Sequence, residues 1–179
     1  LTPTAYPLLP RHLTLAASLT IGIPGFFLAL APSGGRWHDS GFLRDVGRFA
    51  VPAGTAAGLA VLSSYTFAAE VLDMSLVEAR TVATTALVLV GLYLIVALEA
   101  SGRRRSAWVG MLCAAMLAAF AVVTSLPASR DFFALAAMTP AIALTAAAGA
   151  LPAVAGLWVT GEQFAPGGGN GSPGDRTEG

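Results

Sequence analysis

Three residues near the N-terminus have the types and spacing that expose backbone oxygen inside an apolar helix. Pro24 has no amide hydrogen to donate to the carbonyl of Thr20, four residues earlier, and its ring crowds that carbonyl. Gly22 adds backbone freedom at the same turn, so the sequence predicts a local unwinding that directs bare carbonyls and the Thr20 hydroxyl at one point. A desolvated hard cation requires oxygen ligands of this kind. Thr20, Gly22 and Pro24 are therefore the candidate cation-pathway residues.

The same pattern also has a purely structural interpretation. Proline kinks are common in membrane helices, and a neighbouring Ser or Thr often bonds the carbonyl that a proline leaves free. Helix chemistry alone therefore leaves two hypotheses open for this turn, a cation site and a kink that serves only helix packing.

These residues lie in a charge-free segment that is long enough to cross a bilayer. A membrane helix rises about 1.5 Å per residue and needs about 20 apolar residues to span about 30 Å of hydrocarbon. The whole chain has the same character, since 55% of its 179 residues are hydrophobic and 11% are charged, against about 25% charged in soluble domains. The composition indicates an integral membrane protein, for which the lipid bilayer is the first partner.

Charged residues divide the chain into five apolar segments and predict an all-α fold, a polytopic membrane helix bundle of about five transmembrane helices. The predicted transmembrane domain covers residues 1–161, with spans at about 13–33, 49–69, 79–98, 106–126 and 132–159. The last span contains Pro140 and Pro152, so we expect it to be kinked, tilted or shortened at one end, or divided into two re-entrant pieces. The glycine-rich residues 162–179 predict a disordered cytoplasmic tail.

The arginines predict the orientation, because cytoplasmic loops hold an excess of Arg and Lys close to the membrane. Three arginines fall on one predicted side, namely Arg11, Arg80 and Arg130. Seven fall on the other, namely Arg36, Arg44, Arg48, Arg103, Arg104, Arg105 and Arg176. This distribution predicts a multi-pass plasma-membrane protein with its N-terminus outside the cell and its C-terminus in the cytoplasm.

Small and hydroxyl-bearing residues predict how the helices pack. Small residues let membrane helices approach closely, and here they are Gly54, Gly58, Ala114, Ala115, Ala118, Ala119, Ala146, Ala147, Ala148 and Gly149. The hydroxyl groups within the spans are expected to bond backbone carbonyls rather than a transported ligand; they belong to Ser63, Ser64, Thr84, Thr85, Thr124 and Thr145.

The sequence contains no motif of enzymatic or nucleic-acid chemistry. It has no glycine-rich phosphate loop, no histidine pair at metal-ligand spacing and no combination of nucleophile and base. We therefore predict no catalytic residue, no resident metal and no cofactor. The formal net charge is zero and the one basic block is residues 103–105, so nucleic acid is not an expected partner.

The stretch from Tyr6 to Pro32 resembles the sixth membrane helix of cation-transporting P-type ATPases and the short extracytoplasmic turn before it. The likeness lies in Leu9, Pro10, Thr20, Gly22, Pro24 and Pro32. It is closest to an actinobacterial group in which the strings PRHLTL and TIGIP recur, here residues 10–15 and 20–24. Four further predicted helices match the seventh to tenth helices of that family. Ile21 stands where many calcium and sodium pumps have an acidic residue.

The resemblance implies a membrane-embedded transport segment that contributes part of a cation pathway, with Thr20 at a ligand position and calcium or another divalent cation as cargo. It also implies that the remaining ATPase chain is a partner, because this sequence lacks the family's phosphorylation, nucleotide-binding and actuator domains. We therefore predict that the chain is not an enzyme by itself. The alternative is a non-catalytic integral membrane anchor or assembly subunit.

Overall fold

The structure, a computed structural model, describes residues 6–30, 42–99 and 103–162. The described residues form helices and no strand, which confirms the all-α prediction. The elements are α1 Pro10–Ala17, the first π turn Ser18–Gly22, α2 Ile23–Leu30, α3 Phe42–Thr66, the second π turn Phe67–Val71, α4 Leu76–Glu99, α5 Arg103–Ser125, α6 Pro127–Phe133 and α7 Pro140–Glu162.

Four stretches of the described residues are long and apolar enough to cross a membrane. They are Pro10–Leu30, Leu76–Leu98, Ala107–Ser125 and Pro140–Trp158. The prediction of a polytopic membrane helix bundle is confirmed by these helices. α3, which is 25 residues long, corresponds to the remaining predicted span, so the count of five stays a prediction.

The last predicted span, over residues 132–159, was expected to be kinked, tilted, shortened or divided, and the structure has a non-helical connection between α6 and α7 within it. α6 ends because Ala134 has a left-handed backbone with a φ of 51°, and the Leu135 amide closes the turn by donating to the Arg130 carbonyl at 2.9 Å. Residues 135–139 are not helical, and α7 begins only at Pro140, whose fixed φ suits the first turn of a helix. The last span is thus shortened at its N-terminal end.

The predicted tail could not be compared with the structure. Residues 163–179 lie outside the described residues, and Glu162 is the last residue of α7. Residues 31–41, which include the predicted end of the first span, also lie outside them.

α4 is the central helix of the bundle. It contacts α1, α3, α5 and α7, and its side chains at Val82, Val88 and Val90 are fully buried. One apolar cluster joins α4 to α1 and α5 through Leu15, Val88 and Leu112. A helix that is apolar on every face lies in a protein core or in lipid, and α4 is enclosed by the helices around it.

The small residues predicted at helix contacts pack inside the bundle at some positions, including Ala146, Gly149 and Ala119, and are exposed at others. Ala146 is fully buried, and a Cβ atom at Gly149 would collide with the Ser64 side chain of α3. Gly54 and Gly58 are exposed, with open space where a Cβ would lie. In α5, the exposed alanines are Ala114, Ala115 and Ala118. Spacing alone does not reveal which face of a membrane helix meets another helix.

The prediction for the hydroxyl groups inside the spans is confirmed where bonds are described. Each donates to a carbonyl one turn earlier in its own helix: Ser63 and Ser64 to Ala60, Thr84 to Arg80, Thr85 to Thr81 and Thr124 to Phe120, at distances of 2.5–3.2 Å. These hydroxyl groups satisfy backbone carbonyls in a medium without water.

Thr81 has an additional role, because it bonds the non-helical connection to the central helix. The Thr81 hydroxyl donates to the Val77 carbonyl at 2.8 Å and accepts the Ala136 amide at 2.8 Å. Thr81 is buried, and so is Leu135, the residue before Ala136. Non-helical backbone at membrane depth requires such partners, because an unpaired amide in a water-free interior is costly.

We expect Thr81→Val to lower the free energy of unfolding by about 1–3 kcal/mol, because it preserves shape but leaves the Ala136 amide without an acceptor. Thr55→Val is the matched control, since the exposed Thr55 hydroxyl bonds only the Val51 carbonyl of its own helix, at 2.8 Å. Unfolding in detergent micelles, followed by circular dichroism, measures both. Equal losses for the two variants would contradict the role of Thr81.

Candidate functional site

The candidate site lies in a helix that stays continuous from Pro10 to Leu30. At the first π turn the Ile23 amide donates to the Ser18 carbonyl, five residues earlier, where an α-helix would use the carbonyl four residues earlier. The predicted unwinding at Gly22 is therefore corrected: the helix widens by one π turn and does not open. A single inserted residue accommodates the proline at little cost to the neighbouring hydrogen bonds.

Pro24 leaves one carbonyl of this turn without a helical donor. If the π register continued past Ile23, residue 24 would bond the Leu19 carbonyl; if the α register resumed, it would bond the Thr20 carbonyl. Pro24 has no amide hydrogen for either bond. The donor that Pro24 lacks is therefore one that would have bonded the carbonyl of Leu19 or of Thr20, in the middle of the helix.

The Thr20 side chain lies between its own helix and α4. Its hydroxyl donates to the Ala16 carbonyl at 2.8 Å, and the residue is half-buried. Because the hydroxyl hydrogen is used in that bond, the oxygen lone pairs remain as acceptors. On the α4 side, a Cβ atom built at Gly91 would lie 2.6 Å from the Thr20 Cγ2 atom, which shows how closely the two helices approach.

The three predicted site residues differ in their exposure. Pro24 is buried and Thr20 is half-buried, whereas Gly22 is exposed. A Cβ at Gly22 would meet only the Ala17 carbonyl oxygen, at 3.8 Å, so the turn does not require glycine for space. The acceptor oxygens of the candidate site therefore come from Thr20 and the carbonyl that Pro24 leaves free.

The surroundings of the turn are apolar. The neighbouring Leu19 belongs to the buried cluster that includes Leu92 of α4. Within the described ranges, no group of three His, Cys, Asp or Glu residues is placed to hold a metal ion. The described residues thus offer neutral oxygens at this turn, and these make up only part of the six to eight ligands that a calcium ion takes.

Sequence reasoning missed His12 as a structural residue. His12 is fully buried, its Nδ1 atom accepts the Leu9 amide at 3.2 Å, and its Nε2 atom is buried without a hydrogen-bond partner. Beside it, an Arg11 guanidinium nitrogen donates to the Phe132 carbonyl at 3.3 Å and so joins α1 to the end of α6. The sequence did contain a signal for this role. Pro10 suits the first position of a helix, and His12, two residues later, can accept the amide of Leu9, the residue before the helix.

Sequence reasoning also missed the contact made by Gly91, because the sequence does not identify its partner. A lone glycine in an apolar helix is about 1 kcal/mol less favourable than alanine, which suggests a packing reason but identifies no partner. The partner, Thr20, is distant in the sequence.

These features define the class of the protein as a multi-pass membrane helix bundle. Three curated proteins match the chain, each called calcium-transporting ATPase CtpE. The one from Mycolicibacterium smegmatis is 34% identical over 131 residues, which cover 73% of this chain and 16% of the relative. Those from Mycobacterium bovis and Mycobacterium tuberculosis are 34% and 33% identical over 159 residues, which cover 87% of this chain and 20% of each relative.

Over the matched residues, the chain is a homologue of cation-transporting P-type ATPases, which confirms the resemblance found in the sequence. It spans a fifth or less of the length of these relatives, and its helical bundle is consistent with a C-terminal membrane segment. No family model matches the chain, and no solved structure matches it.

The close approach of the first π turn to α4 predicts a cross-link. With Cys113→Ser to remove the native thiol, Thr20→Cys combined with Gly91→Cys should form an intramolecular disulfide on mild oxidation. The two Cβ atoms would start 2.9 Å apart, and a small separation brings them into the range of about 3.5–4.5 Å found in disulfides. Free thiols are counted by alkylation and mass spectrometry.

The control pair is Thr14→Cys with Gly91→Cys, because Thr14 is exposed on the same helix. Equal oxidation of the two pairs would contradict the packing of the turn against α4.

Proposed function

We propose that this chain is the membrane-embedded transport segment of a calcium-transporting P-type ATPase and that its first π turn supplies part of the cation pathway. The observation that carries the proposal is Pro24, which has no amide hydrogen to donate, one turn after the Thr20 hydroxyl and in a bilayer-length helix that contains a π turn. Homology to calcium-transporting ATPases supports calcium as the cation.

The chemistry of the turn suits a shared site. Calcium binds six to eight oxygen atoms at about 2.3–2.6 Å in flexible geometry. The Thr20 hydroxyl oxygen and the carbonyl of Leu19 or Thr20 are neutral ligands with small desolvation costs. We infer that carboxylates and further oxygens come from membrane helices of the remaining ATPase chain, because charged ligands are required to balance a divalent ion at membrane depth.

The same proposal assigns ATP hydrolysis to the remaining ATPase chain. We infer that the phosphorylation, nucleotide-binding and actuator domains belong to the remaining ATPase chain and that this segment does not hydrolyse ATP by itself. In the assembled ATPase, phosphorylation in the cytoplasmic part would move these helices and change access to the shared site. The remaining chain is thus the partner that makes the transport segment active.

We further propose a plasma-membrane topology with five crossings, in which α3 is the second and the N-terminus lies outside the cell. Two arginines assigned to the extracytoplasmic side lie at the same end of the bundle, near the start of the first span, as this topology requires. Arg80 of α4 donates to the Tyr6 carbonyl at 3.1 Å, and Arg11 reaches the Phe132 carbonyl. Arg36 and Arg176, assigned to the cytoplasmic side, lie outside the described residues.

The test is a chimaera of the M. smegmatis relative in which this whole chain replaces the matched segment, called here the ATPase chimaera. We expect Thr20→Ala to raise the calcium concentration for half-maximal ATP-driven uptake into vesicles about tenfold, equivalent to about 1.4 kcal/mol for one lost ligand. Thr14→Ala is the control, because the exposed Thr14 hydroxyl makes the same kind of bond, to the Pro10 carbonyl at 3.1 Å. An unchanged calcium requirement in Thr20→Ala would contradict the proposal, as would a folded chimaera that takes up no calcium.

Pro24→Ala tests the backbone oxygen separately. The new amide hydrogen can bond the carbonyl of Leu19 or Thr20, so calcium must compete with a hydrogen bond and we expect a several-fold weaker calcium affinity in the ATPase chimaera. Pro152→Ala, inside α7, is the matched control. If both substitutions have the same effect on affinity, the carbonyl is not a ligand.

A second candidate function is a non-catalytic membrane anchor or assembly subunit. One observation favours it: the Thr20 side chain already bonds the Ala16 carbonyl and packs against Gly91, as a purely structural residue would. In that case, Thr20→Ala and Pro24→Ala would change the unfolding temperature of the chain but leave calcium uptake by the ATPase chimaera unaltered.

A further inference from the structure

We infer that Gly91 of α4 is a positioning residue for the candidate cation site, because its missing Cβ atom lets the first π turn lie directly against the central helix. This inference rests on the proposed function of Thr20. Gly91 contributes no oxygen ligand from its side chain. Gly91 determines the positions of the Thr20 hydroxyl and of the neighbouring carbonyl.

The space at Gly91 is filled by the rigid part of Thr20. A Cβ at position 91 would lie 2.6 Å from the Thr20 Cγ2 atom, 2.9 Å from its Cβ and 3.3 Å from its Oγ1. Rotation about χ1 can move Cγ2 and Oγ1 but leaves Cβ in place. In addition, the bond of 2.8 Å to the Ala16 carbonyl holds the hydroxyl in its present rotamer. Any side chain at position 91 must therefore displace the backbone of the turn.

This requirement distinguishes Gly91 from most glycines of the described helices. Open space surrounds the Cβ position at Gly25, Gly54, Gly58 and Gly110. Besides Gly91, Gly149 meets a side chain, that of Ser64, far from the candidate site. Gly91 is thus the glycine whose lack of a side chain is used at the first π turn.

The turn, rather than α4, would yield to a side chain at position 91. α4 is surrounded by α3, α5 and α7, and its residues on either side of Gly91, Val90 and Leu92, are buried. The helix carrying the first π turn packs on one side of α4, and many of its side chains are exposed. A displacement of a few tenths of an ångström is significant at a site whose oxygens must reach about 2.3–2.6 Å from a calcium ion.

The experiment is a double-mutant cycle in the ATPase chimaera. Gly91→Ala should raise the calcium concentration for half-maximal uptake at least about threefold, while the maximal rate at saturating calcium and the amount of folded protein stay within about twofold. Gly110→Ala, on the neighbouring α5, is the control and should change none of these quantities. Combining Gly91→Ala with Thr20→Ser removes Cγ2, the atom nearest to the new methyl group, and should restore part of the affinity.

The outcomes separate this inference from the function on which it rests. If Thr20→Ala weakens calcium affinity but Gly91→Ala does not, the positioning role is overturned and the proposed function stands. If neither substitution changes affinity, the proposed function fails. A loss of folded protein or maximal rate in Gly91→Ala with unchanged affinity shows ordinary packing and also overturns the inference.

Thr20→Ser alone provides the decisive variant if Gly91→Ala does not fold. It keeps the hydroxyl and removes the Cγ2 contact with Gly91, so calcium affinity should fall about two- to threefold through loss of position. Affinity equal to that of the unmodified chain would overturn the inference.

Discussion

The structure depends on one constraint, that every backbone donor and acceptor in a water-free interior needs a partner from within the protein. Most of the bundle meets this constraint through α-helices and through hydroxyl groups that bond the carbonyls of their own helix. Prolines inside helices remove donors: Pro52 does so in α3 and Pro152 in α7, and Pro24 leaves such a gap at the first π turn. The π turn keeps the helix continuous around this gap.

The same constraint explains the non-helical connection before α7. The Ala136 amide of the connection donates to Thr81 of the central helix, and the Phe132 carbonyl near the end of α6 accepts from Arg11 at the start of α1. The side chains of two helices thus replace the water that a loop would use outside a membrane. These bonds also join α1, α4 and α6 at one end of the bundle.

A continuous helix with one π turn suits transport better than an opened strand of backbone would. In the proposed site the turn supplies one acceptor oxygen, and the helix stays continuous on both sides of it. Thr20 places a second oxygen beside the first, and Gly91 fixes both against α4, the most enclosed helix. In this arrangement a movement of α4 would carry the candidate ligands with it.

Much of the architecture could be predicted because charge placement and helix length determine which segments enter a bilayer. The local chemistry of Pro24 was also readable, since a missing donor is a property of one residue. The π turn at this position could not be predicted, because the choice between unwinding and a π turn depends on how the helix packs. Gly54 and Gly58 were expected at a helix contact and lie outside it, whereas Gly91 lies at one. Which glycine lies at a helix contact depends on which helices pack together, and a single sequence does not show that.

The central claim is that the carbonyl freed by Pro24 binds calcium. The direct measurement is the infrared absorption of isotope-labelled carbonyls at Leu19 and Thr20 in the ATPase chimaera, with a labelled carbonyl at Val90 of α4 as the helix-bonded reference. One of the two should absorb at a higher frequency than the Val90 carbonyl without calcium and shift to lower frequency as calcium is added. Absorption of both at the reference frequency, unaffected by calcium, would contradict the claim.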